Sequence, residues 1–226
     1  MEKESLTRNH LSATKEKWEE KHGSGEWAGG KWEIKRVIDF FDRYKKELGR
    51  EVLDIGSGCG RNAVPLARRG HDVTCLELTE EGLKKTRVKL EAEQLKANLV
   101  QGDQSRLPFQ NEKFDSVVSV QSFQFNVTKW DAEKSFAEAA RVLKPDGIFF
   151  LRVRSEDFFD GNHKIFDEAG SLESRGYSLA EIMHLAAANN MEIIEEPVDS
   201  YKDDKDGNII RKGQWNIVMR KKKVNH

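Results

Sequence analysis

The fold of this chain is decided by the stretch Val52-Leu53-Asp54-Ile55-Gly56-Ser57-Gly58-Cys59-Gly60-Arg61-Asn62. It reads as a short apolar strand, a turn with glycine at every second position, and the start of a helix. Glycine is needed where the backbone takes a positive φ or passes close to a ligand. Because open α/β sheets bind ligands at the carboxyl ends of their strands, beside free helix N–H groups, the stretch predicts a nucleotide-binding turn.

Outward from this turn, apolar segments of strand length alternate with segments of helical periodicity. This alternation predicts an α/β fold with a Rossmann-like, open, mostly parallel seven-stranded sheet, helices on both faces and an antiparallel C-terminal hairpin. The predicted strands are residues 51–55, 72–78, 99–102, 114–120, 148–153, 191–201 and 214–220, and the predicted helices between them are 62–69, 80–95, 131–143 and 179–189.

The pattern predicts one domain over residues 1–226, with a core at 49–226 and a helical N-terminal cap or lid at 1–48. Trp18, Trp27 and Trp32 lie around a glycine-rich segment in that cap. Two interpretations stay open: a lid that moves over the ligand, or a helix packed permanently on the sheet.

Charge and composition exclude some classes of partner. The 38 basic and 39 acidic residues give a net charge of −1, which argues against a nucleic-acid or anionic membrane partner. No apolar stretch is long enough to span a bilayer. Two cysteines do not make a framework of several disulfides, so a cytoplasmic location is expected.

A nicotinamide dinucleotide site is disfavoured by the spacing of the glycines. The dinucleotide fingerprint is G-x-G-x-x-G, in which the third glycine permits close helix packing. Arg61 occupies that third position here, and the pattern is G-x-G-x-G.

Several motifs in register resemble those of the class I S-adenosylmethionine-dependent methyltransferases. The first is Asp54 to Gly60; Glu77 then closes the second strand, and Gly102-Asp103 closes the third. Phe114-Asp115 opens the fourth strand, and Arg141 to Gly147 precedes the fifth. Two further segments, Gly60 to Asn62 and Gly70 to Thr74, are similar to small-molecule methyltransferases of the tellurite-resistance type.

The resemblance implies S-adenosyl-L-methionine as cofactor and S-adenosyl-L-homocysteine as product. It places the methionine portion on the glycine turn near Asp54, and the adenine amino group at Asp103. An acid at the position of Glu77 can accept both ribose hydroxyls, as the acid after the second strand does in dinucleotide folds. The implied cofactor residues are Asp54, Gly56, Ser57, Gly58, Gly60, Arg61, Glu77, Leu78, Asp103, Gln104, Ser105 and Gln121.

The acceptor is expected to be a small molecule, methylated by direct in-line transfer, and no catalytic residue or metal ligand is assigned. Candidate acceptor residues follow strands four and five. For each there is a structural alternative: Phe123 and Phe125 also suit the core, His163 also suits a solvated loop, and Arg154 also suits a salt bridge. The candidates are Phe123, Phe125, Asn126, Arg154, His163 and Tyr177.

Three alternatives are an RNA methyltransferase, a protein methyltransferase and a module that binds the cofactor without transferring its methyl group. Enzymes of this family that methylate base amino groups carry an Asn/Asp-Pro-Pro-aromatic motif after the fourth strand. Gln121 to Phe125 contains no proline, which disfavours that kind of acceptor.

Overall fold

The computed structural model describes residues 2–24, 35–126, 128–159, 164–166, 173–200, 202–203, 209–211 and 213–223. Their contacts divide the chain into two compact units, Met1–Asp103 and Gln104–His226. The single domain with an N-terminal cap stays a prediction. Trp27, Trp32 and His163 lie outside the described residues.

The first unit contains parallel strands in the order β3-β2-β1, joined by helices. The buried residues of β1 and β2 are mainly apolar, as expected of strands covered on both sides, and the exceptions are Asp54, Thr74 and Glu77. The elements are α1 (Glu2–Ser24), α2 (Lys35–Arg43), β1 (Glu51–Ile55), α3 (Ala63–Arg68), β2 (Asp72–Glu77), α4 (Glu80–Ala92) and β3 (Asn98–Gln101).

The second unit contains strands in the order β4-β5-β12-β8, with β9 also paired to β12. The pairing of β4 with β5 is parallel, and β12 is antiparallel to β5, β8 and β9. Two small antiparallel sheets, β6-β7 and β10-β11, lie apart from this order. The elements are β4 (Phe114–Val120), α5 (Lys129–Val142), β5 (Leu143–Arg154), β6 (Lys164–Phe166), β7 (Glu173–Arg175), α6 (Leu179–Ala188), β8 (Met191–Ile193), β9 (Val198–Asp199), β10 (Lys202–Asp203), β11 (Ile209–Arg211) and β12 (Gln214–Lys221).

The predicted fold class is confirmed: the strands are mostly parallel, helices separate them, and the C-terminal strands are antiparallel. The hairpin differs in detail, because its first arm is broken into β8 and β9. Pro197 lies in the break, and proline has no N–H to donate to a ladder. The antiparallel partner of both pieces is β12.

Three aromatic rings form the centre of the second unit's core. Phe123, Phe136 and Phe149 are each fully buried, with ring centroids 5.4 to 5.9 Å apart. Tilted and edge-on contacts of this kind add to the free energy gained from burial itself. Phe136 lies on helix α5. The position of this helix therefore determines how the Phe136 ring packs in the cluster.

A capping box fixes the start of α5. The hydroxyl of Thr128 accepts from the N–H of Asp131 at 3.1 Å, and the carboxylate of Asp131 accepts from the N–H of Thr128 at 3.3 Å. Two of the helix's unpaired donors are thereby satisfied.

Thr128→Ala is expected to lower the free energy of unfolding by about 1 kcal/mol, because it removes the cap and leaves the N–H of Asp131 without its side-chain acceptor. Thr128→Ser keeps the hydroxyl and serves as the matched control. Urea denaturation of the two variants measures the difference. Equal midpoints for Ala and Ser at this position would contradict a stabilising role for the capping box.

Candidate cofactor site

The glycine turn after β1 has the backbone that its sequence predicts. Gly56, Gly58 and Gly60 have φ values of 69°, 54° and 80°, in the left-handed region that side chains disfavour. The N–H groups of Gly56 and Ser57 both donate to the carbonyl of Leu76, at 2.8 and 3.0 Å. The turn is therefore fastened to β2, the strand that ends at Glu77.

The carboxylate of Glu77 is buried and accepts three hydrogen bonds. Its Oε2 accepts from the N–H of Gly58 at 2.9 Å, and its Oε1 accepts from the N–H and the hydroxyl of Thr79 at 3.0 and 2.7 Å. A carboxylate has about four acceptor positions. The described contacts therefore leave one position, on Oε2, for a further donor. Glu77 holds the glycine turn and the start of α4 in one place.

Asp54, at the end of β1, is fully buried. Its Oδ1 accepts from the side-chain amide of Asn62 at 3.1 Å, and its Oδ2 has no hydrogen-bond partner among the described residues. Burial raises the pKa of Asp54 to about 7, against smaller lowering effects of Asn62 and of the charge on Arg61. A positive charge nearby would favour the ionised form, so the surroundings of this carboxyl suit a cationic group.

Small residues on α4 let the helix approach the turn closely. A Cβ on Gly82 would lie 2.8 Å from the hydroxyl oxygen of Thr79 and 3.0 Å from the carbonyl oxygen of Gly58. The hydroxyl of Thr86 donates to that same carbonyl at 2.9 Å. The sequence-based predictions missed this role of α4. The available signal is the spacing of Thr79, Gly82 and Thr86, which places small residues on one helix face.

Helix α1 contributes two further residues that the sequence did not single out. Both carboxylate oxygens of Glu19 accept from backbone N–H groups at the start of α4, those of Glu80 and Glu81, at 2.9 and 3.1 Å. The ring of His22 is buried, and its Nδ1 lies 2.8 Å from the hydroxyl oxygen of Thr79. The described part of the N-terminal segment is thus docked on α4.

The other predicted residues of the first unit lie at the ends of the same strands. Asp103 directly follows Gly102, whose N–H donates to the carbonyl of Glu77 at 3.0 Å. Leu78 is half-buried, and its carbonyl accepts from Gln101 at 3.0 Å. Arg61 is half-buried and carries a charge that acts on Asp54. The structure therefore gathers Asp54, Gly56, Ser57, Gly58, Gly60, Arg61, Glu77, Leu78 and Asp103 around the ends of β1, β2 and β3.

The second unit joins two of its predicted residues in a polar network. Gln104 donates to the side-chain oxygen of Asn126 at 2.8 Å and accepts from Ser122 at 2.7 Å. Ser135 donates to the same Asn126 oxygen at 3.0 Å. Ser105 is half-buried beside Gln104 in the chain.

Gln121, at the end of β4, has a φ of 60°. Its N–H donates to the carbonyl of Arg152 at 2.7 Å. A non-glycine residue in this conformation is uncommon and marks a position held by its surroundings.

The acceptor candidates differ in burial and in their hydrogen-bond partners. Phe123 and Tyr177 are fully buried, and the hydroxyl of Tyr177 donates to the carbonyl of Phe123 at 2.9 Å. The reading of Phe123 as a core residue therefore fits. Phe125 is half-buried, and Arg154 donates to the hydroxyl oxygen of Ser174. The acceptor role of these residues and of Asn126 stays a prediction.

Among the residues with described positions, no helix is both long and apolar enough to cross a membrane. Nor do these residues bring together three or more histidine, cysteine or acidic side chains that could hold a metal ion.

Comparisons with known proteins agree with this geometry. Residues 52–147 match the family model described as a methyltransferase domain. The chain is 34% identical over 115 residues to the malonyl-[acyl-carrier protein] O-methyltransferase of Geobacter sulfurreducens, covering 50% of this chain and 40% of that protein. It is 36% identical over 124 residues to the ubiquinone/menaquinone biosynthesis C-methyltransferase UbiE of Ruegeria, covering 53% and 48%.

A solved structure, TehB from Haemophilus influenzae, has a TM-score of 0.64 and 20% identity, over 88% of this chain and 65% of that one. This likeness shows the fold. The chain matches less than half the length of the two curated relatives. Together these findings agree with the predicted resemblance: residues 52–147 match a methyltransferase domain, and the two curated relatives are named as methyltransferases.

The raised pKa of Asp54 makes stability depend on pH. The folded protein binds this proton more tightly than the unfolded chain, whose Asp54 has the ordinary pKa of 3.8. Stability therefore falls as the pH rises from that value to about 7. Asp54→Asn keeps the shape without the charge, so it is expected to match the wild type near pH 4 and to exceed it at pH 8, by up to about 4 kcal/mol.

Urea denaturation at the two pH values measures this difference. Asp72→Asn is the control, because Asp72 is an exposed acid paired with Arg50 and should show no such gain. An Asp54→Asn variant that is no more stable than the wild type at pH 8 would contradict a raised pKa.

Proposed function

We propose that the chain is an enzyme that transfers a methyl group from S-adenosyl-L-methionine to a small-molecule acceptor by direct in-line transfer. The observation that carries the proposal is the pair of buried carboxyls, Asp54 and Glu77, on either side of a glycine turn with positive φ values. The family match over residues 52–147 supports the same class of reaction.

The residues of the first unit fit the chemical groups of this cofactor. Asp54 has a buried oxygen without a described partner, and a cationic amino group near this oxygen would stabilise the ionised carboxylate. Gly56 and Gly58 are partly exposed and lack side chains, so a ligand can lie against their backbone. Glu77 keeps one acceptor position for a hydroxyl. The remaining proposed contacts are Ser57, Gly60, Arg61, Leu78, Asp103, Gln104, Ser105 and Gln121.

When bound, S-adenosyl-L-methionine supplies an electrophilic methyl group on a sulfonium. The work of the protein is to align the acceptor with that group and to exclude water. A general base is needed only for an acceptor that arrives protonated. No side chain is therefore assigned as a catalytic base.

The net charge of the chain favours a small molecule as the methyl acceptor. The net charge of −1 offers little long-range attraction to a polyanion. One curated relative is named for a malonyl-[acyl-carrier protein] and the other for ubiquinone/menaquinone biosynthesis. Those names describe the relatives, and the acceptor of this chain is to be found by experiment.

Calorimetric titration tests cofactor binding. The protein is expected to bind S-adenosyl-L-methionine and S-adenosyl-L-homocysteine, and to give no heat with NAD. Glu77→Gln is expected to weaken binding of S-adenosyl-L-homocysteine by at least about tenfold, because an amide offers one acceptor oxygen in place of two. Glu93→Gln is the control, since Glu93 pairs with Arg68 on the surface.

Asp54→Asn provides a second variant if Glu77→Gln fails to fold, because it is expected to retain or gain stability while losing affinity. Failure of the wild type to bind either adenosyl compound would overturn the proposal. Turnover of methyl-labelled cofactor across thiols, amines, acids and phenols then identifies the acceptor. Cofactor binding without turnover of any small molecule, RNA or protein would point to the non-catalytic alternative.

A further inference from the structure

Helix α1 brings a histidine to the carboxylate that is expected to hold the ribose. His22 is only 4% exposed, and its Nδ1 lies 2.8 Å from the hydroxyl oxygen of Thr79. That hydroxyl donates its proton to Oε1 of Glu77 at 2.7 Å. His22, Thr79 and Glu77 thus form one continuous hydrogen-bonded chain from α1 to the end of β2.

This series of hydrogen bonds determines which ring nitrogen of His22 carries the proton. Because the single hydroxyl proton of Thr79 is given to Glu77, the bond between Thr79 and His22 requires the ring to donate from Nδ1. Burial lowers the pKa of His22, opposed by the charge on Glu77, so the ring is neutral at pH 7. A neutral ring that carries its proton on Nδ1 has a lone pair on Nε2. Nε2 is therefore an acceptor.

Nε2 is turned toward the glycine turn. A Cβ built on Gly58 would lie 3.8 Å from Nε2 of His22, while the N–H of Gly58 donates to Oε2 of Glu77 at 2.9 Å. Two acceptors thus lie beside one residue of the turn: the last acceptor position of Glu77 and the lone pair of His22. Gly58 has no side chain to fill the space next to Nε2.

A ribose presents two neighbouring hydroxyls, and Glu77 has room for one, whereas its position in the sequence alone suggests that it accepts both. Its Oε1 is already saturated by the two bonds from Thr79, and its Oε2 has given one of two positions to Gly58. A buried hydroxyl without an acceptor is unfavourable. The second hydroxyl therefore needs another partner close to Glu77.

We infer that His22 is a cofactor-binding residue whose Nε2 accepts one ribose hydroxyl while Oε2 of Glu77 accepts the other. This inference rests on the proposed function. It makes α1 a part of the cofactor site and explains its docking: Glu19 holds the helix on the start of α4 through the N–H groups of Glu80 and Glu81. The ring of His22 is thereby kept in register with the turn.

The test pairs variants of His22 with analogues of S-adenosyl-L-homocysteine that lack either the 2′- or the 3′-hydroxyl. His22→Asn can place an amide N–H where Nδ1 lies, which keeps the bond to Thr79 and removes Nε2. It is expected to weaken binding of the parent ligand by about five- to tenfold in calorimetry. It should leave affinity unchanged for the one analogue that already lacks the hydroxyl bound by Nε2.

Glu93→Gln is the matched control, because Glu93 pairs with Arg68 on the surface and takes no part in the docking of α1. It should leave the affinity for the parent ligand and for both analogues unchanged. A purely structural role of His22 predicts a uniform loss across the three ligands for His22→Asn, and that result would overturn the inference. An unchanged affinity for all three ligands would overturn it as well.

These outcomes are distinct from a failure of the proposed function, in which the wild type itself would not bind the parent compound. Circular dichroism of the free variants checks that each is folded. His22→Gln, which can place an amide oxygen near the position of Nε2, should regain part of the discrimination between the analogues. A His22→Gln variant that discriminates no better than His22→Asn would contradict the assignment to Nε2.

Discussion

The hydrogen bond from the N–H of Gly58 to the carboxylate of Glu77 is the interaction on which the first unit depends. The other oxygen of Glu77 accepts from Thr79. One buried carboxylate therefore joins the end of β2, the glycine turn after β1 and the start of α4. A buried charge is stable only when it is hydrogen-bonded in this way, and the same arrangement leaves a single acceptor position, on Oε2, for a further donor.

The carboxyl of Asp54 differs from that of Glu77 because it is buried with few hydrogen bonds. Its carboxyl is buried with one oxygen that lacks a described partner, and its pKa is raised to about 7 as a result. Burial of a poorly paired acid destabilises the ionised protein. A bound cationic group would relieve that penalty, and binding and stability would then be coupled at this residue.

The sequence was sufficient for the fold and for the turn, because both depend on local signals. Alternating apolar segments predict strands and helices, and glycines at every second position predict the left-handed φ values of Gly56, Gly58 and Gly60. The sequence did not reveal His22 or Glu19, whose partners Thr79 and Glu80 are about sixty residues away. Nor does the sequence decide whether Phe123 and Tyr177, which are fully buried, contact an acceptor or only the core, since an aromatic side chain suits both.

A titration of isotope-labelled protein with S-adenosyl-L-homocysteine, followed through the backbone amide resonances, tests most directly whether the glycine turn binds the adenosyl cofactor. The resonances of Gly56, Gly58 and Gly60 are predicted to shift on addition of the ligand, and to stay in place on addition of NAD. Resonances of these glycines that do not move while the ligand binds elsewhere, or that do not move because nothing binds, would contradict a cofactor site at this turn.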